Sequence, residues 1–410
     1  MKIVFEKNIT ELKRIGDIVN FKRGYDLPAY ARVDGEYPVM SSSGVSGYHN
    51  EFKIEGEGLV TGRYGTLGEF YYVNGKYWPH NTALYVTDFK GNYPKYVYFL
   101  MKSLSFLKRS DKSTVPGIDR KDLHEIKIPY IKGEQQKLIA DALFLIEEKI
   151  ALNNDINTEL ENLAKTIYNY WFVQFDFPNE EGKPYKTSGG EMVWNEELKR
   201  EIPKGWEVFL LKEKLEFERG VEPGSDKYFE KQIDETLIPF FKVGGMNGDT
   251  DVWIKNDEAN GAICREEDIL LSLDGSVGRI AIGLSGAYSS GIRKVYPKNG
   301  NFPKSYIYFL LHSDEIQQTI KKNATGSNIL HAAKALDYMM APYNANVVES
   351  FDKLCNPIFN KILATKRENQ ELIKLRDFLL PLLMNGQVKV KSEATEQLSM
   401  AAEPQVKYGK

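Results

Sequence analysis

Cysteine is nearly missing from this chain. Only Cys264 and Cys355 occur in 410 residues, far apart and outside any CxxC spacing, which excludes a disulfide framework and points to a reducing compartment. The five histidines, His49, His80, His124, His312 and His331, show no metal-ligand spacing. No run of 18 apolar residues exists, so a transmembrane helix is not expected, and the start MKIVFEKNITELK is too polar for a signal peptide. The expected location is the cytoplasm. An excess of one charge is lacking as well, since 54 Lys+Arg against 57 Asp+Glu leaves a net charge of -3; any basic surface for nucleic acid has to be local. There is no GxxxxGK[ST] loop, no HExxH, no GxSxG and no [DN]PP[YF] tetrapeptide for holding a flipped base. The glycines at Gly56, Gly58, Gly62, Gly65 and Gly68 are followed by no helix and no acidic residue placed for a ribose, so they read as tight turns between strands. Together these absences argue against an enzyme.

What is present is a repeat. Apolar residues make up 42% and charged residues 27%, a globular balance in a chain long enough for two or three domains. PKYVYFL at 94–100 returns as PKSYIYFL at 303–310, with Tyr96 against Tyr306, a shift of 210 positions. GTLG at 65–68 faces GSVG at 275–278, and each is followed by a strand-like run, FYYV or IAIG. IPY at 128–130 faces APY at 341–343, and FKRG at 21–24 faces FERG at 217–220. Four matches in one order indicate a tandem duplication. Each half opens with a β-rich portion, where Asn74-Gly75 suits a type I′ hairpin turn, and closes with a long helix.

In the first half Ile139, Ile146, Asn153, Leu160 and Ile167 recur every seven residues, interleaved with Leu143, Ile150, Asn157, Ala164 and Trp171. This is a heptad seam of roughly 40 residues, about 60 Å of helix. In the second half the rows are Phe351, Ile358, Thr365, Leu372, Leu379 and Cys355, Ile362, Asn369, Arg376, Leu383. Both seams are polar in the middle, at Asn153 and Asn157 and at Thr365 and Asn369. Two such helices packed antiparallel would set these polar layers face to face and fix register; a solvated midpoint is the alternative. Pro357 either kinks the second helix or marks its start with Asn356 as cap. The Pro- and Gly-containing stretch around 175–205 reads as a linker arm, and the tail from 389 reads as disordered.

GTLG, PKYVYFL, TVPGIDRKDLHEIKIPY and GEQQKLIADALFLIEEKI, in that order, resemble one half of a specificity subunit of a Type I restriction-modification system, and IPKGWEV at 202–208 resembles that family's opening to a recognition domain. The similarity runs to about residue 388. The second half departs where APYNANVVESF lacks the Glu134-Gln135 pair, which leaves the start of its helix open. The resemblance implies an α+β fold, with two similar mixed α/β target-recognition domains at 1–132 and 206–345. They would be separated by two long conserved helices, at 133–174 and 346–388, packed as an antiparallel coiled coil in a pseudo-twofold tandem repeat. It further implies a non-catalytic DNA reader that binds double-stranded DNA. Two methyltransferase subunits carrying S-adenosylmethionine and two restriction subunits would dock on it, and this chain would hold no cofactor or metal.

Shared framework and differing loops imply a bipartite, asymmetric target, with half-sites about one helical turn, about 34 Å, apart. The residues able to reach base edges or phosphates are Arg23, Ser42, Ser43, Tyr48, Arg63, Tyr64, His80, Asn81 and Lys112 in the first domain. In the second they are Arg219, Lys242, Asn247, Asp274, Ser289, Ser290, Arg293, Lys322 and Asn328. Arg63 and Arg293 stand first among them, although a polar residue beside glycine is also an ordinary turn former. Two other readings are a self-contained DNA-modifying enzyme, which the missing motifs oppose, and a coiled-coil adaptor, which leaves two β-rich domains unexplained.

Overall fold

The computed structural model describes residues 2–63, 68–104, 120–248, 250, 252–299, 302–327 and 329–391. The chain forms two compact units, one built from residues 1–150 and from 372 onward, the other from 151–371.

In the first unit six strands lie side by side in the order Asn20–Arg23, Ala83–Asp88, Ile54–Gly62, Phe70–Pro79, Tyr37–Ser41, Gly44–His49. Tyr37–Ser41 runs parallel to Phe70–Pro79, with Val39 beside Trp78; the other neighbours are antiparallel. Ile54–Gly62 ends in five buried residues because both its faces are covered there. Leu59 enters the main core, while Val60 joins Met40, Tyr77 and Tyr85 in a smaller cluster.

Asn74-Gly75 does not turn the chain as its sequence predicts. FYYVNGKYWP is one strand of 10 residues, paired from Phe70 to Tyr77 with Thr61 to Ile54. Gly75 faces Gly56, and both take positive φ, 107° and 113°, a backbone twist cheap only without a Cβ. The long ladder overrides the local turn preference.

The stretch PKYVYFL forms the helix Pro94–Lys102, with proline at the start, where a missing N–H is tolerated, and Tyr96 through Met101 buried. These side chains share one core with Ile139 and Leu143 of the first long helix and with Leu379, Leu380 and Leu383 of the second. The tail expected to be disordered from 389 instead begins with the strand Lys389–Lys391, antiparallel to Lys2–Val4. Its alternation explains this: Val388 and Val390 are buried in the core, while Lys391 reaches Glu6 at 2.7 Å. The residues from 392 lie outside the described part of the chain.

The second unit repeats this plan. Leu215–Arg219, Ile292–Pro297, Ile269–Ser272 and Ile280–Ala281 form one sheet; Trp253–Lys255, Leu237–Phe241, Gly286–Tyr288 and Ile263–Cys264 form another. The parallel pairing recurs between Leu237–Phe241 and Gly286–Tyr288. The ladder of Glu207–Leu210 with Met340–Tyr343 corresponds to that of Thr10–Arg14 with Lys127–Ile131. Lys304–His312 repeats the buried Tyr-Phe-Leu helix. The arm at 175–205 is folded onto this unit. Phe175, Phe177 and Ile202, with Trp206 just beyond it, join the core, and Met192–Asn195 pairs with Arg200–Pro203.

The first long helix is Glu134–Tyr168, continued by a π-helical turn Asn169–Val173; the second is Ala345–Met384. Pro357 lies inside the second helix and neither ends nor starts it. The start is at Asn344, whose Oδ1 accepts from the backbone N–H groups of Asn346 at 3.1 Å and Val347 at 3.2 Å. Pro357 faces solvent, where water can satisfy the carbonyl that loses its helical partner.

Within the second unit the two helices run antiparallel and their polar residues meet. Asn153 Nδ2 donates to Asn369 Oδ1 at 2.8 Å and to Glu368 Oε2 at 2.9 Å. Asn369 Nδ2 donates to Asn154 Oδ1 at 2.9 Å, and the Thr365 hydroxyl donates to Asn157 Oδ1. All four seam positions are buried, Asn153 completely, so this midpoint is not solvated. Within the first unit the pairing continues through Arg376, 3.7 Å from Glu147.

Replacing Asn153 with alanine removes the Nδ2 group that donates to Asn369 Oδ1 and Glu368 Oε2. We expect Asn153→Ala to destabilise the chain by about 1–3 kcal/mol, seen as a lower urea midpoint. The pair Asn153→Leu with Asn369→Leu should restore or exceed the original midpoint. An unchanged midpoint for the single variant would mean that the layer contributes nothing.

Candidate nucleic-acid interface

Each domain carries one turn built in the same way. The first strand of the sheet ends in Arg-Gly, and the glycine passes over the carbonyl end of a neighbouring strand. A Cβ on Gly24 would sit 2.2 Å from the His80 carbonyl oxygen and 2.4 Å from that of Pro79. One on Gly220 would sit 2.3 Å from the carbonyl oxygens of both Ser289 and Tyr288. Only glycine allows this approach. The crossing is locked by backbone bonds in register: Tyr25 N to Pro79 O at 2.8 Å and His80 N to Met40 O at 2.8 Å. In the other domain Val221 N bonds Tyr288 O at 3.0 Å and Ser289 N bonds Phe241 O at 2.9 Å.

The side chains follow the same plan. Arg23 Nε donates to the Asn81 carbonyl at 3.2 Å, and Arg219 Nε donates to the Ser290 carbonyl at 3.3 Å. Asn81 Nδ2 donates to Asp26, and Ser290 Oγ donates to Glu222 at 3.4 Å. Arg63 and Leu273 occupy one equivalent position, each the first residue past its strand, with backbone N–H groups that reach Thr82 O at 3.1 Å and Gly291 O at 2.9 Å; the N–H of Asp274, one residue on, also reaches Gly291 O at 3.2 Å. A single frame therefore brings together Arg23, Arg63, His80 and Asn81 in one domain. In the other it brings together Arg219, Asp274, Ser289 and Ser290.

The remaining candidates are placed as follows. His80 is half-buried, with Nδ1 2.9 Å from the Thr82 hydroxyl, and burial followed by the Arg32 charge lowers its pKa. Ser42 and Ser43 lie in the turn closed by the Ser41 hydroxyl, which donates to Gly44 O at 3.1 Å. Tyr48 is exposed on the edge strand Gly44–His49. Lys242 is exposed, its Nζ 4.2 Å from the centre of the Tyr228 ring, and Asn247 is exposed nearby in sequence. Asp274 Oδ1 lies 2.7 Å from His331 Nδ1. Ser289 is buried.

Two candidates sit differently from what their sequence context implies. Arg293 is only 7% exposed; its Nη1 donates to the carbonyls of Ser290 at 2.6 Å and Ile292 at 3.1 Å, and burial lowers its pKa. Its guanidinium therefore braces the turn from within. Lys322 ends the helix Asp314–Lys322 beside Leu198, Arg200 and Tyr338, and none of the bonds that build the Arg219 turn reaches it. Tyr64, Lys112 and Asn328 lie outside the described residues. Asp26 and Glu222 were absent from the sequence candidates, although the shared pattern Arg-Gly-x-acid at 23–26 and 219–222 signals them. Among the described residues no three of His, Cys, Asp and Glu come together as a metal-binding group, and no helix is long and apolar enough to cross a membrane.

Comparison with known proteins matches this duplicated geometry to a family. The Type I restriction modification DNA specificity domain matches residues 9–162 and again 203–335. The chain is 28% identical over 319 residues to the Type I restriction enzyme MjaIX specificity subunit of Methanocaldococcus jannaschii, covering 72% of this chain and 69% of that one. It is 24% identical over 413 residues to the MjaVIII specificity subunit of the same organism, covering 93% of each. The crystal structure of a Type I restriction-modification S subunit from M. genitalium shares the fold, with a TM-score of 0.55, 18% identity, and coverage of 94% of this chain and 98% of that one. With the family domain present once in each half, on the same Arg-Gly frame, the chain belongs to the Type I restriction-modification specificity family and is a DNA specificity subunit.

Proposed function

We propose that this chain recognises a bipartite, asymmetric stretch of double-stranded DNA, one segment for each domain, without a reaction centre of its own. Methyl transfer and cleavage belong on this reading to two methyltransferase subunits, which bind S-adenosylmethionine, and two restriction subunits assembled on it. The observation that carries it is the pair of frames with exchanged side chains. His80-Asn81 stand where Ser289-Ser290 stand, and Arg63 where Leu273 stands with Asp274 beside it, on the same backbone bonds. An arginine fork suits the O6 and N7 acceptors of guanine, whereas an aspartate accepts from the N4 amino group of cytosine. A frame that carries an arginine fork in one domain and leucine followed by Asp274 in the other reads different bases, so the two half-sites differ.

A methylation map of the host genome tests this directly. The expected result is an interrupted motif with two unlike halves that vanishes when this gene is deleted; a continuous or palindromic motif would count against it. Arg63→Ala and Asp274→Ala should each cost about 1–3 kcal/mol on the intact target and relax one base position, in different halves of the motif. Competition binding on duplexes substituted base by base measures both. Equal weakening on every sequence would make either residue a backbone contact.

A further inference from the structure

We infer that Arg23 and Arg219 form a matched pair of DNA-phosphate contacts, one in each domain, that position the duplex and carry no base preference. This rests on the DNA-reading role proposed above. It begins from what the two frames keep and what they exchange. Around the glycine the side chains differ: Lys22 against Glu218, Tyr25 against Val221, His80 against Ser289, Asn81 against Ser290, Arg63 against Leu273. Apart from the core pair Phe21 and Phe217, it is the arginine that keeps its identity, its place at the strand end and its Nε bond to the carbonyl of the neighbouring turn. A side chain identical in both domains cannot be what makes two half-sites differ.

The geometry suits an oxyanion. Binding a carbonyl through Nε fixes the plane of the guanidinium and leaves the two terminal nitrogens as a fork, the arrangement that meets phosphate bidentately. Both arginines are exposed, and among the described residues no carboxylate closes an ion pair with either. The acids three residues further on, Asp26 and Glu222, are engaged by Asn81 and Ser290 instead. Arg293 shows the contrast. It lies across the strand pair from Arg219, but it is buried and spends its donors on carbonyls. In a chain of net charge -3, two uncompensated cations on matched turns are the local basic surface that a DNA backbone requires.

The test uses the full chain with its methyltransferase partner, titrated by fluorescence anisotropy on its mapped target and on a scrambled duplex, from 50 to 200 mM salt. Arg23→Ala and Arg219→Ala should each weaken both duplexes by a similar factor, about three- to tenfold. Each should also reduce the slope of log K against log salt by about 0.9, and the double variant by about twice that. Base preference at every position of the motif should stay unchanged. Arg23→Lys keeps the charge without the Nε anchor, so the slope should return while part of the affinity loss remains. Loss confined to the mapped target, with one base position relaxed, would overturn the phosphate assignment and make the arginines readers. An alanine variant that weakens binding without changing the slope would overturn it too. If the unsubstituted complex binds neither duplex, the DNA-reading role itself fails, and the inference falls with it.

Discussion

The space between a glycine and a carbonyl sets the working end of each domain. At Gly24 and at Gly220 the chain crosses within van der Waals distance of the last peptide groups of a neighbouring strand, where any Cβ would overlap a carbonyl oxygen. That crossing fixes where the preceding arginine leaves the sheet and which carbonyl its Nε meets. It also aligns the turn at 80–83, or at 289–292, so that the residue after the adjacent strand, Arg63 or Leu273, is bonded to that turn. Positions of variable chemistry are thus held on one shared piece of backbone. The bonds that set the crossing, Tyr25 N to Pro79 O and Val221 N to Tyr288 O, join backbone to backbone, so the side chains around it can change.

Behind this frame each unit is tied to the long helices by a buried aromatic helix. Tyr306, Tyr308 and Phe309 share a core with Tyr168, Trp171, Phe172 and Phe351, and the Tyr308 hydroxyl donates to Glu161 at 2.7 Å. Tyr96, Phe99 and Leu100 do the same in the first unit with Ile139 and Leu143, and Tyr98 donates to Glu147 at 3.0 Å. The repeated Tyr-Phe-Leu stretch therefore builds the attachment of reader to helix, twice. Along the seam the buried asparagines cost stability relative to leucine, and Asn153 Oδ1 is left without a partner among the described residues. What they supply is register, because sliding one helix past the other would strand several buried donors at once.

Much of this was legible in the residues. The order of the four repeated motifs marked the duplication, and the seven-residue spacing marked both helices and their polar middle. The Arg-Gly pair was visible as FKRG and FERG. The failures have physical causes. Asn74-Gly75 has every local property of a hairpin turn, yet the ladder with Ile54–Gly62 extends past it on both sides. Pro357 has the local properties of a helix end, but the seam on either side is buried by a partner and holds the helix through it. Lys389–Lys391 is too short to signal a strand alone and exists because Lys2–Val4 lies beside it. Arg293 and Arg63 look alike in sequence, and only the cross-strand neighbours decide that one is buried.

The amino-acid sequence by itself determined the periodicities: which segments alternate, which repeat every seven residues, and that the whole plan occurs twice. Those depend on each residue and its near neighbours in the chain, so they survive without knowledge of the fold. The tertiary structure alone decided which arginine faces solvent, which acid is already engaged, and which distant residues occupy equivalent places, as His80 and Ser289 do. Those are properties of pairs that the fold brings together, and burial and hydrogen-bond partnership come into being only when the chain closes on itself.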